Sequence, residues 1–228
     1  MNNDFNTEYL ELLRKIWFSG IETAPRGMKV KELLGEKLKL ISPENNLITI
    51  PQFKTNINYV TDELKWYLSG SNNINFTPLI KRSWERYSDD GIHVNSAYGY
   101  RIFGKHPDFI NQWDWVKKKL SCDSDSRQAI ININDVSDKC LENTKDFPCT
   151  IACQVFIRDN KLYWVTYMRS QDIFLGMRND VYCFTELQKI LAKELSIDCG
   201  NYIHFCGSLH LYEKNYERVF DFLKSVIV

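Results

Sequence analysis

In two short segments of the chain, reactive side chains stand directly beside an apolar run. At such a position a reactive side chain can face a cavity and take part in chemistry. Cys149 follows a proline just before a long apolar run, so its thiol either packs as a structural cysteine or faces a cavity as a nucleophile. An arginine, a hydroxyl and a carboxylate follow the apolar run that ends at Met168. This second segment is either an ordinary polar loop or a grip for a phosphate, because guanidinium groups match phosphate oxygens. It consists of Arg169, Ser170, Gln171 and Asp172.

A third segment, from Gly207 to Tyr212, reads as a strand. His210 and Tyr212 are two residues apart, so on a strand they project from one face and set two hydrogen-bonding groups side by side. A histidine satisfied within the core is the alternative interpretation.

Apolar periodicity predicts the elements that position these segments. Helices are predicted at 5–18, 58–68, 78–87, 108–120, 181–195 and 216–226, with a break at 24–27. Strands are predicted as a pair within 37–50, at 129–133, as a hairpin over 150–168 that turns at 158–161, and at 202–212. Helices and strands mix without strict alternation, so we predict a single α+β domain over residues 1–228, built on a mixed sheet.

The overall charge limits the partners. The 228 residues carry 29 basic and 29 acidic side chains, a net charge of zero, which argues against a nucleic-acid-binding chain. An anionic partner must therefore be met by a few local arginines. Aromatic residues make up 14% of the chain, which argues against disorder.

Cysteine usage indicates the compartment. The seven cysteines are odd in number and the opening residues are polar and amphipathic, which predicts a cytoplasmic protein without disulfides. No CxxC pair occurs and the four histidines do not cluster, so no metal site is expected. No apolar run approaches the roughly 18 residues that span a bilayer, so no membrane association is expected.

Taken in chain order, these segments resemble the thymidylate synthase superfamily, and within it the deoxycytidylate hydroxymethylase branch. The segments that carry the resemblance are Asp62–Tyr67, Trp84, Tyr98–Gly99, Asp125–Arg127, Phe147–Cys149, Arg169–Asp172, Gly176–Asp180 and Gly207–Tyr212. Thymidylate synthases have histidine and glutamine at the positions of Thr150 and Met168, whereas hydroxymethylases have threonine and methionine there, as this chain does. The resemblance implies a mixed sheet flanked by helices and a homodimer formed sheet to sheet.

The resemblance also implies a reaction. Cys149 would add to C6 of a pyrimidine nucleotide, so that C5 can attack a one-carbon electrophile supplied by 5,10-methylenetetrahydrofolate. Arg169 would supply the positive charge that a thiolate needs. Glu63 would organise water and proton transfers beside the folate, and Tyr98 would lie near the C5 proton. Trp84 would face the folate, with core packing as the alternative.

Substrate contacts are implied in the same way. The nucleotide phosphate would be held by Arg26, Arg169 and Ser170, and by Arg127 reaching across a two-fold interface from the partner subunit. His210 and Tyr212 would bond the sugar hydroxyl, with Asp172 among the substrate-binding residues. Gln128 replaces a second arginine of the family, which weakens the phosphate clamp or frees room near the sugar.

Asp180 indicates the base. It stands where thymidylate synthases carry an asparagine, whose amide matches uracil N3–H and the 4-oxo group. Cytosine has the opposite pattern, because its N3 accepts a hydrogen bond and its 4-amino group donates one. A carboxyl group that shares one proton with the ring can bond both groups. The alternative is that Asp180 only caps a helix over 181–195.

These implications together predict a transferase of nucleotide biosynthesis that converts dCMP to 5-hydroxymethyl-dCMP with methylenetetrahydrofolate and water. Ser170 keeps the hydroxyl typical of the deoxynucleotide enzymes. Three alternatives stay open: a CMP 5-hydroxymethylase of nucleoside antibiotic biosynthesis, a divergent thymidylate synthase acting on dUMP, and a catalytically idle member that binds nucleotide or messenger RNA.

Overall fold

The computed structural model describes residues 5–104, 110–140 and 143–227. In these ranges the helices are α1 Phe5–Ser19, α2 Ile57–Leu68, α3 Pro78–Trp84, α4 Tyr98–Phe103, α5 Gln112–Cys122, α6 Gly176–Glu194 and α7 Tyr216–Ile227. The strands are β1 Ile21–Thr23, β2 Val30–Leu40, β3 Ile130–Asn132, β4 Thr150–Arg158, β5 Lys161–Met168, β6 Gln171–Asp172 and β7 Asp198–Tyr212. The predicted α+β class is therefore confirmed.

All seven strands join one mixed sheet in the order β1-β2-β7-β5-β4-β3, with β6 also paired to β7. β7 runs parallel to β5 and β6 and antiparallel to β2, while β4 and β5 form an antiparallel hairpin. Asp159 and Asn160 turn this hairpin with positive φ angles of 49° and 56°, a backbone region that Asp and Asn tolerate. The predicted hairpin over 150–168 and its turn are thus confirmed.

Helices cover one face of the sheet. Trp164 and Tyr202, on β5 and β7, are fully buried in the main core, together with Phe184 of α6. Side chains alternate along each strand, so Tyr167 and Phe205 lie on the opposite face, where Phe205 is 38% exposed. The reactive segments lie at the ends of these central strands.

α4 packs closely against α2, and Gly99 makes this approach possible. A Cβ atom at position 99 would overlap the backbone of Tyr67 on α2. The glycine of the Tyr98–Gly99 segment therefore fixes where the Tyr98 side chain is presented.

Most predicted helices are found within a few residues of their expected bounds. The helices predicted at 5–18, 58–68 and 216–226 correspond to α1, α2 and α7, and 78–87 corresponds to α3 followed by a 3₁₀ turn. The predicted 108–120 helix corresponds to α5, although residues 108 and 109 lie outside the described residues.

Two predictions were wrong. Residues 37–50 do not form a strand pair, because the extended chain ends at Leu40 and the following residues form a loop. Ile48 is buried in this loop, but its backbone forms hydrogen bonds with Thr55 and not with a neighbouring strand. The apolar alternation therefore reflected buried side chains and not strand pairing. The helix predicted at 181–195 begins at Gly176, which places Asp180 inside α6 and excludes a capping role for it.

Candidate functional site

The candidate nucleophile, Cys149, directly precedes β4, and Arg169, which directly follows β5, lies against it. Arg169 Nε donates to the carbonyl of Pro148 at 2.8 Å and Nη2 donates to that of Phe147 at 2.9 Å. The same Nη2 lies 3.8 Å from Cys149 Sγ. Two backbone anchors therefore hold the guanidinium against the thiol, as expected for the pair.

The electrostatics at Cys149 differ from the expectation of a ready thiolate. Burial raises the pKa of the half-buried Cys149 thiol above its ordinary value, and the charges of Asp180 and Asp146 add to this rise. Arg169 and Arg26 lower the pKa but do not offset burial. The free protein therefore holds Cys149 mostly as the thiol near neutral pH.

The segment that carries Cys149 is fixed against α4. The buried carboxylate of Asp146 accepts a hydrogen bond of 2.6 Å from the Ser96 amide, just before α4. The Tyr98 hydroxyl accepts one of 3.2 Å from the Thr150 amide, the residue after the nucleophile. The structure thus brings Tyr98 next to Cys149, as expected.

Glu63 lies on α2, only 4% exposed, at the end of a hydrogen-bonded chain. The Tyr59 hydroxyl donates to Glu63 Oε1 at 2.9 Å and accepts from Trp84 Nε1 at 3.2 Å. Burial, and then the charge of Asp180, raise the pKa of Glu63 to about 8. Glu63 is therefore a carboxyl group that can hold or release a proton near neutral pH.

Asp180, within α6, is a further carboxyl group of the site and is partly rather than fully buried. Burial raises the pKa of Asp180 to about 7, opposed by a hydrogen bond of 2.9 Å that Gln171 Nε2 donates to Oδ2. Because Asp180 also acts on the pKa values of Glu63 and Cys149, these three groups share one electrostatic environment.

A third polar group lies where β6 pairs with the end of β7. His210 and Tyr212 stand side by side, with ring centroids 5.0 Å apart and edge to face, as the alternation predicted. Asp172 is paired with His210 in the β6–β7 register, and its Oδ1 accepts from the Phe174 amide at 2.8 Å. Burial raises the pKa of Asp172 and lowers that of His210.

The remaining expected phosphate ligands fall into two places. Arg26 lies in a turn with a positive φ of 53° and acts electrostatically on both Cys149 and Tyr212, so it faces the site. Ser170 is half-buried beside Arg169. Arg127 is exposed and lies near β4, where its carbonyl accepts from Gln154 Nε2 at 2.9 Å, and the described residues show no contact between it and Cys149.

Sequence reasoning missed two residues of this site. Tyr59 connects Trp84 to Glu63, and its position four residues before Glu63 on a predicted helix was the available signal. Gln171 holds Asp180, and only its place within the Arg169–Asp172 segment pointed to it.

The described part of the chain lacks two features. Residues 5–104, 110–140 and 143–227 contain no group of three His, Cys, Asp or Glu side chains that could hold a metal ion. Over the same residues, no helix has the length and apolar character needed to cross a membrane.

Comparison with known proteins identifies the family of the chain. The sequence profile described as "Thymidylate synthase" matches residues 7–226, so the chain belongs to the thymidylate synthase family. A deoxyuridylate hydroxymethyltransferase of Bacillus phage SP01 is 28% identical over 218 residues. That match covers 91% of this chain and 57% of the phage protein, so the chain spans a little over half the length of this relative.

Proposed function

We propose that this chain is a pyrimidine nucleotide C5-hydroxymethyltransferase, active as a single domain, that uses 5,10-methylenetetrahydrofolate and water. The observation that carries the proposal is one grouping: a cysteine held 3.8 Å from an arginine nitrogen, with the Asp180 carboxyl group acting on the pKa values of both this cysteine and the buried Glu63. Such a site combines a nucleophile, a cation and two proton carriers.

Cys149 would act as the nucleophile. Its sulfur forms a bond to C6, and the C5–C6 electron pair moves to C5, which can then attack a one-carbon electrophile. The bond to C6 breaks when the product is complete, which returns the sulfur unchanged. Because burial raises the pKa of the thiol, Arg169 must stabilise the thiolate when it forms.

Glu63 would move protons. With a pKa of about 8, it carries a proton over much of the neutral range and can exchange it with water in the site. After C5 loses its proton and tetrahydrofolate is eliminated, water would add to the exocyclic methylene carbon and give up one proton. The displaced electron pair restores the C5–C6 double bond as the sulfur leaves, and a hydroxymethyl group remains on C5. Tyr98, whose hydroxyl accepts from the Thr150 amide next to Cys149, would lie near the C5 proton.

The residues beside Glu63 fit a folate. Trp84 is half-buried, with its ring 5.5 Å from Trp66 and 5.8 Å from Tyr87, and Phe76 and Leu79 nearby in sequence are exposed apolar residues. A flat aromatic co-substrate would bind such a surface by stacking. When bound, methylenetetrahydrofolate supplies the one-carbon unit.

Asp180 supports a cytosine nucleotide, with dCMP as the first candidate. A carboxyl group with a pKa of about 7 exists in both states near neutral pH, so it can share a proton with cytosine N3 and accept from the 4-amino group. The name of the phage relative favours a second candidate, deoxyuridylate. CMP is the third candidate, and Ser170, which keeps the hydroxyl typical of the deoxynucleotide enzymes, favours dCMP over it.

The phosphate site supports a homodimer. Arg169 Nη1 has no hydrogen-bond partner among the described residues, and Arg26 faces the same site, but Arg127 lies apart. Arg127 borders the sheet face that helices leave uncovered, because its neighbour Gln154 accepts from the Tyr167 hydroxyl at 3.3 Å.

That uncovered face is apolar. The Tyr167 ring stacks on Phe205 with centroids 5.6 Å apart, and Phe205 is 38% exposed. A second copy of the chain packed on this face would bury it and carry Arg127 to the neighbouring site.

A substrate panel tests the proposal. The protein is incubated with dCMP, CMP or dUMP and methylenetetrahydrofolate, and the products are weighed by mass spectrometry. A hydroxymethyl product with wild-type protein and none with Cys149→Ser, which still binds nucleotide, is the expected result. Exclusive formation of TMP from dUMP, with release of dihydrofolate, would indicate a methylating synthase instead. Turnover that persists in Cys149→Ser would refute the nucleophile.

A further inference from the structure

A continuous chain of buried hydrogen bonds runs from the core to Asp180. Its members, in order, are Trp164, Thr166, Tyr202, His204, Gln171 and Asp180. The first five are buried on β5, β6 and β7, and His204 and Thr166 have no exposed surface. Buried polar side chains of this kind need a function or a structural reason.

The links nearest Asp180 are short. Gln171 Nε2 donates to Asp180 Oδ2 at 2.9 Å, and Gln171 Oε1 lies 2.8 Å from His204 Nε2. His204 Nδ1 lies 2.8 Å from the Tyr202 hydroxyl. Burial lowers the pKa of His204 to about 3, so the ring is neutral and carries one N–H.

The direction of each bond follows from its donors. Gln171 gives its NH₂ to Asp180, so its carbonyl needs a hydrogen from His204 Nε2. His204 Nδ1 is then an acceptor and takes the single hydrogen of Tyr202. The Tyr202 hydroxyl is also placed to donate to Thr166 Oγ1 at 3.1 Å, so its single hydrogen has two possible acceptors. When that hydrogen goes to His204, the Thr166 hydroxyl must supply the hydrogen of the second contact.

The far end of the chain favours this direction. Trp164 Nε1 can only donate, and it lies 3.2 Å from Thr166 Oγ1. In the reverse direction the Thr166 hydroxyl would accept from both Trp164 and Tyr202. Its own hydrogen would then have one acceptor among the described side chains, the Cys153 sulfur at 3.8 Å. The forward direction satisfies every group, and successive bonds then polarise one another.

Gly176 keeps the last link in place. A Cβ atom at position 176 would lie 2.8 Å from Gln171 Nε2 and 3.4 Å from Asp180 Oδ2. Space at the start of α6 is therefore left for the amide. Among the described residues, Asp180 Oδ1 has no hydrogen-bond partner.

We propose that this one-way chain makes Asp180 Oδ2 a permanent acceptor, confines any proton of the carboxyl group to Oδ1, and so determines base selectivity. The inference rests on the proposed function. The edges of cytosine and uracil at N3 and the 4-position need opposite orders of donor and acceptor. A proton free to sit on either oxygen serves both bases, whereas a proton confined to one oxygen serves only one. Gln171, His204 and Tyr202 are thus positioning residues for base discrimination.

Other groups also set the protonation of Asp180, and they must be held constant in a test. The titratable groups that share its environment are Glu63 and Tyr67 of α2, Tyr98 of α4, Cys149 just before β4, Cys153 of β4, Asp172 of β6, Cys183 of α6, and Tyr202 and Cys206 of β7. Tyr202→Phe and Gln171→Leu leave all the other groups in place, and Tyr202→Phe removes only a hydroxyl.

The test compares these variants with Tyr167→Phe, a matched control that removes a tyrosine hydroxyl from the opposite face of the sheet. The measured quantity is base selectivity: kcat/KM is determined with dCMP and with dUMP, and the value for the preferred nucleotide is divided by the value for the other. Loss of a charge-assisted hydrogen bond predicts a ratio that falls roughly tenfold or more in Gln171→Leu and in Tyr202→Phe. Tyr167→Phe should keep the wild-type ratio. Wild-type ratios in both test variants would overturn the proposal, whatever their absolute rates.

A second readout needs no substrate, so it separates this proposal from the proposed function. The carboxyl carbon of Asp180, labelled with a carbon isotope and assigned with Asp180→Asn, is titrated by NMR in the free protein. The chain predicts a higher pKa of Asp180 in Gln171→Leu and Tyr202→Phe than in Tyr167→Phe, because the ionised form loses its fixed donor. Gly176→Ala, which displaces the amide, should act in the same direction. An unchanged titration in Gln171→Leu and Tyr202→Phe would refute the chain even if the enzyme is active.

Discussion

Replacing Glu63 with glutamine tests the claim that the site contains a buried, proton-holding carboxyl group. The pKa of Glu63 rises from an ordinary 4.5 to about 8, mainly through burial, so the folded protein binds this proton where the unfolded chain releases it. The stability due to protonated Glu63 is therefore complete below about pH 4.5 and is lost as pH rises through about 8. At about 1.4 kcal/mol for each tenfold change, the full loss approaches about 5 kcal/mol, and relaxation of the site reduces it to about 3–5 kcal/mol.

Glu63→Gln should abolish that loss, because the amide stays neutral and still accepts from the Tyr59 hydroxyl. The free energy of unfolding is measured by urea denaturation from about pH 5 to about pH 9 at fixed protein concentration. The variant should gain stability relative to wild type steadily from about pH 5 to about pH 8, and the difference should level off above that. Asp62→Asn is the control, because it removes the adjacent carboxylate that pairs with Lys65 at the surface. If the Glu63→Gln and wild-type curves run parallel, the carboxyl group is ionised at neutral pH and its assigned role as a proton carrier is wrong.

Four further predictions concern the site. Asp180→Asn should transfer preference from the cytosine to the uracil nucleotide, by roughly 10⁴-fold in the ratio of kcat/KM, and an unchanged ratio would remove Asp180 from base recognition. Arg169→Ala should raise the pKa of Cys149 further and slow the alkylation of Cys149 by iodoacetamide at neutral pH. The alkylation rate is followed by peptide mass mapping. Equal rates in the variant and the wild type would mean that the guanidinium does not stabilise the thiolate. Trp84→Ala should raise KM for methylenetetrahydrofolate about tenfold or more with little effect on KM for the nucleotide, and the reverse pattern would place the folate elsewhere. Mixing inactive Cys149→Ser with Arg127→Ala protein should restore about a quarter of wild-type activity, since half of the dimers then hold one intact shared site, and no recovery would contradict shared sites.

The sequence predicted the parts of the fold that local pattern decides. The β4–β5 hairpin was found because two apolar runs flank a turn whose residues tolerate positive φ, and α1, α2 and α7 because their apolar spacing is helical. The loop after Leu40 was misread, because buried apolar residues in a loop give the same alternation as a strand. The start of α6 was missed, because no capping side chain precedes Gly176 to signal it.

The site was predicted in its residue types but not in its energetics. Resemblance placed Cys149, Glu63, Tyr98 and Asp180 in one site, and the structure brings these four into one electrostatic environment. Whether burial or Arg169 decides the protonation of the thiol depends on distances that no sequence pattern reports.

Contacts between distant segments were not readable either. The bond from Gln171 to His204 joins residues 33 positions apart, and the one from Trp84 to Tyr59 joins residues 25 apart. Such bonds depend on how the strands and helices meet in space, so single-sequence reasoning had no signal for them.

The origin of the new hydroxyl group is the most direct test of the central claim. The protein is incubated with dCMP and methylenetetrahydrofolate in water labelled with the heavy oxygen isotope, and the nucleotide product is analysed by mass spectrometry. Our account predicts a 5-hydroxymethyl nucleotide that carries the heavy oxygen, formed by wild-type protein and not by Cys149→Ser. A methylated product without the isotope would contradict it.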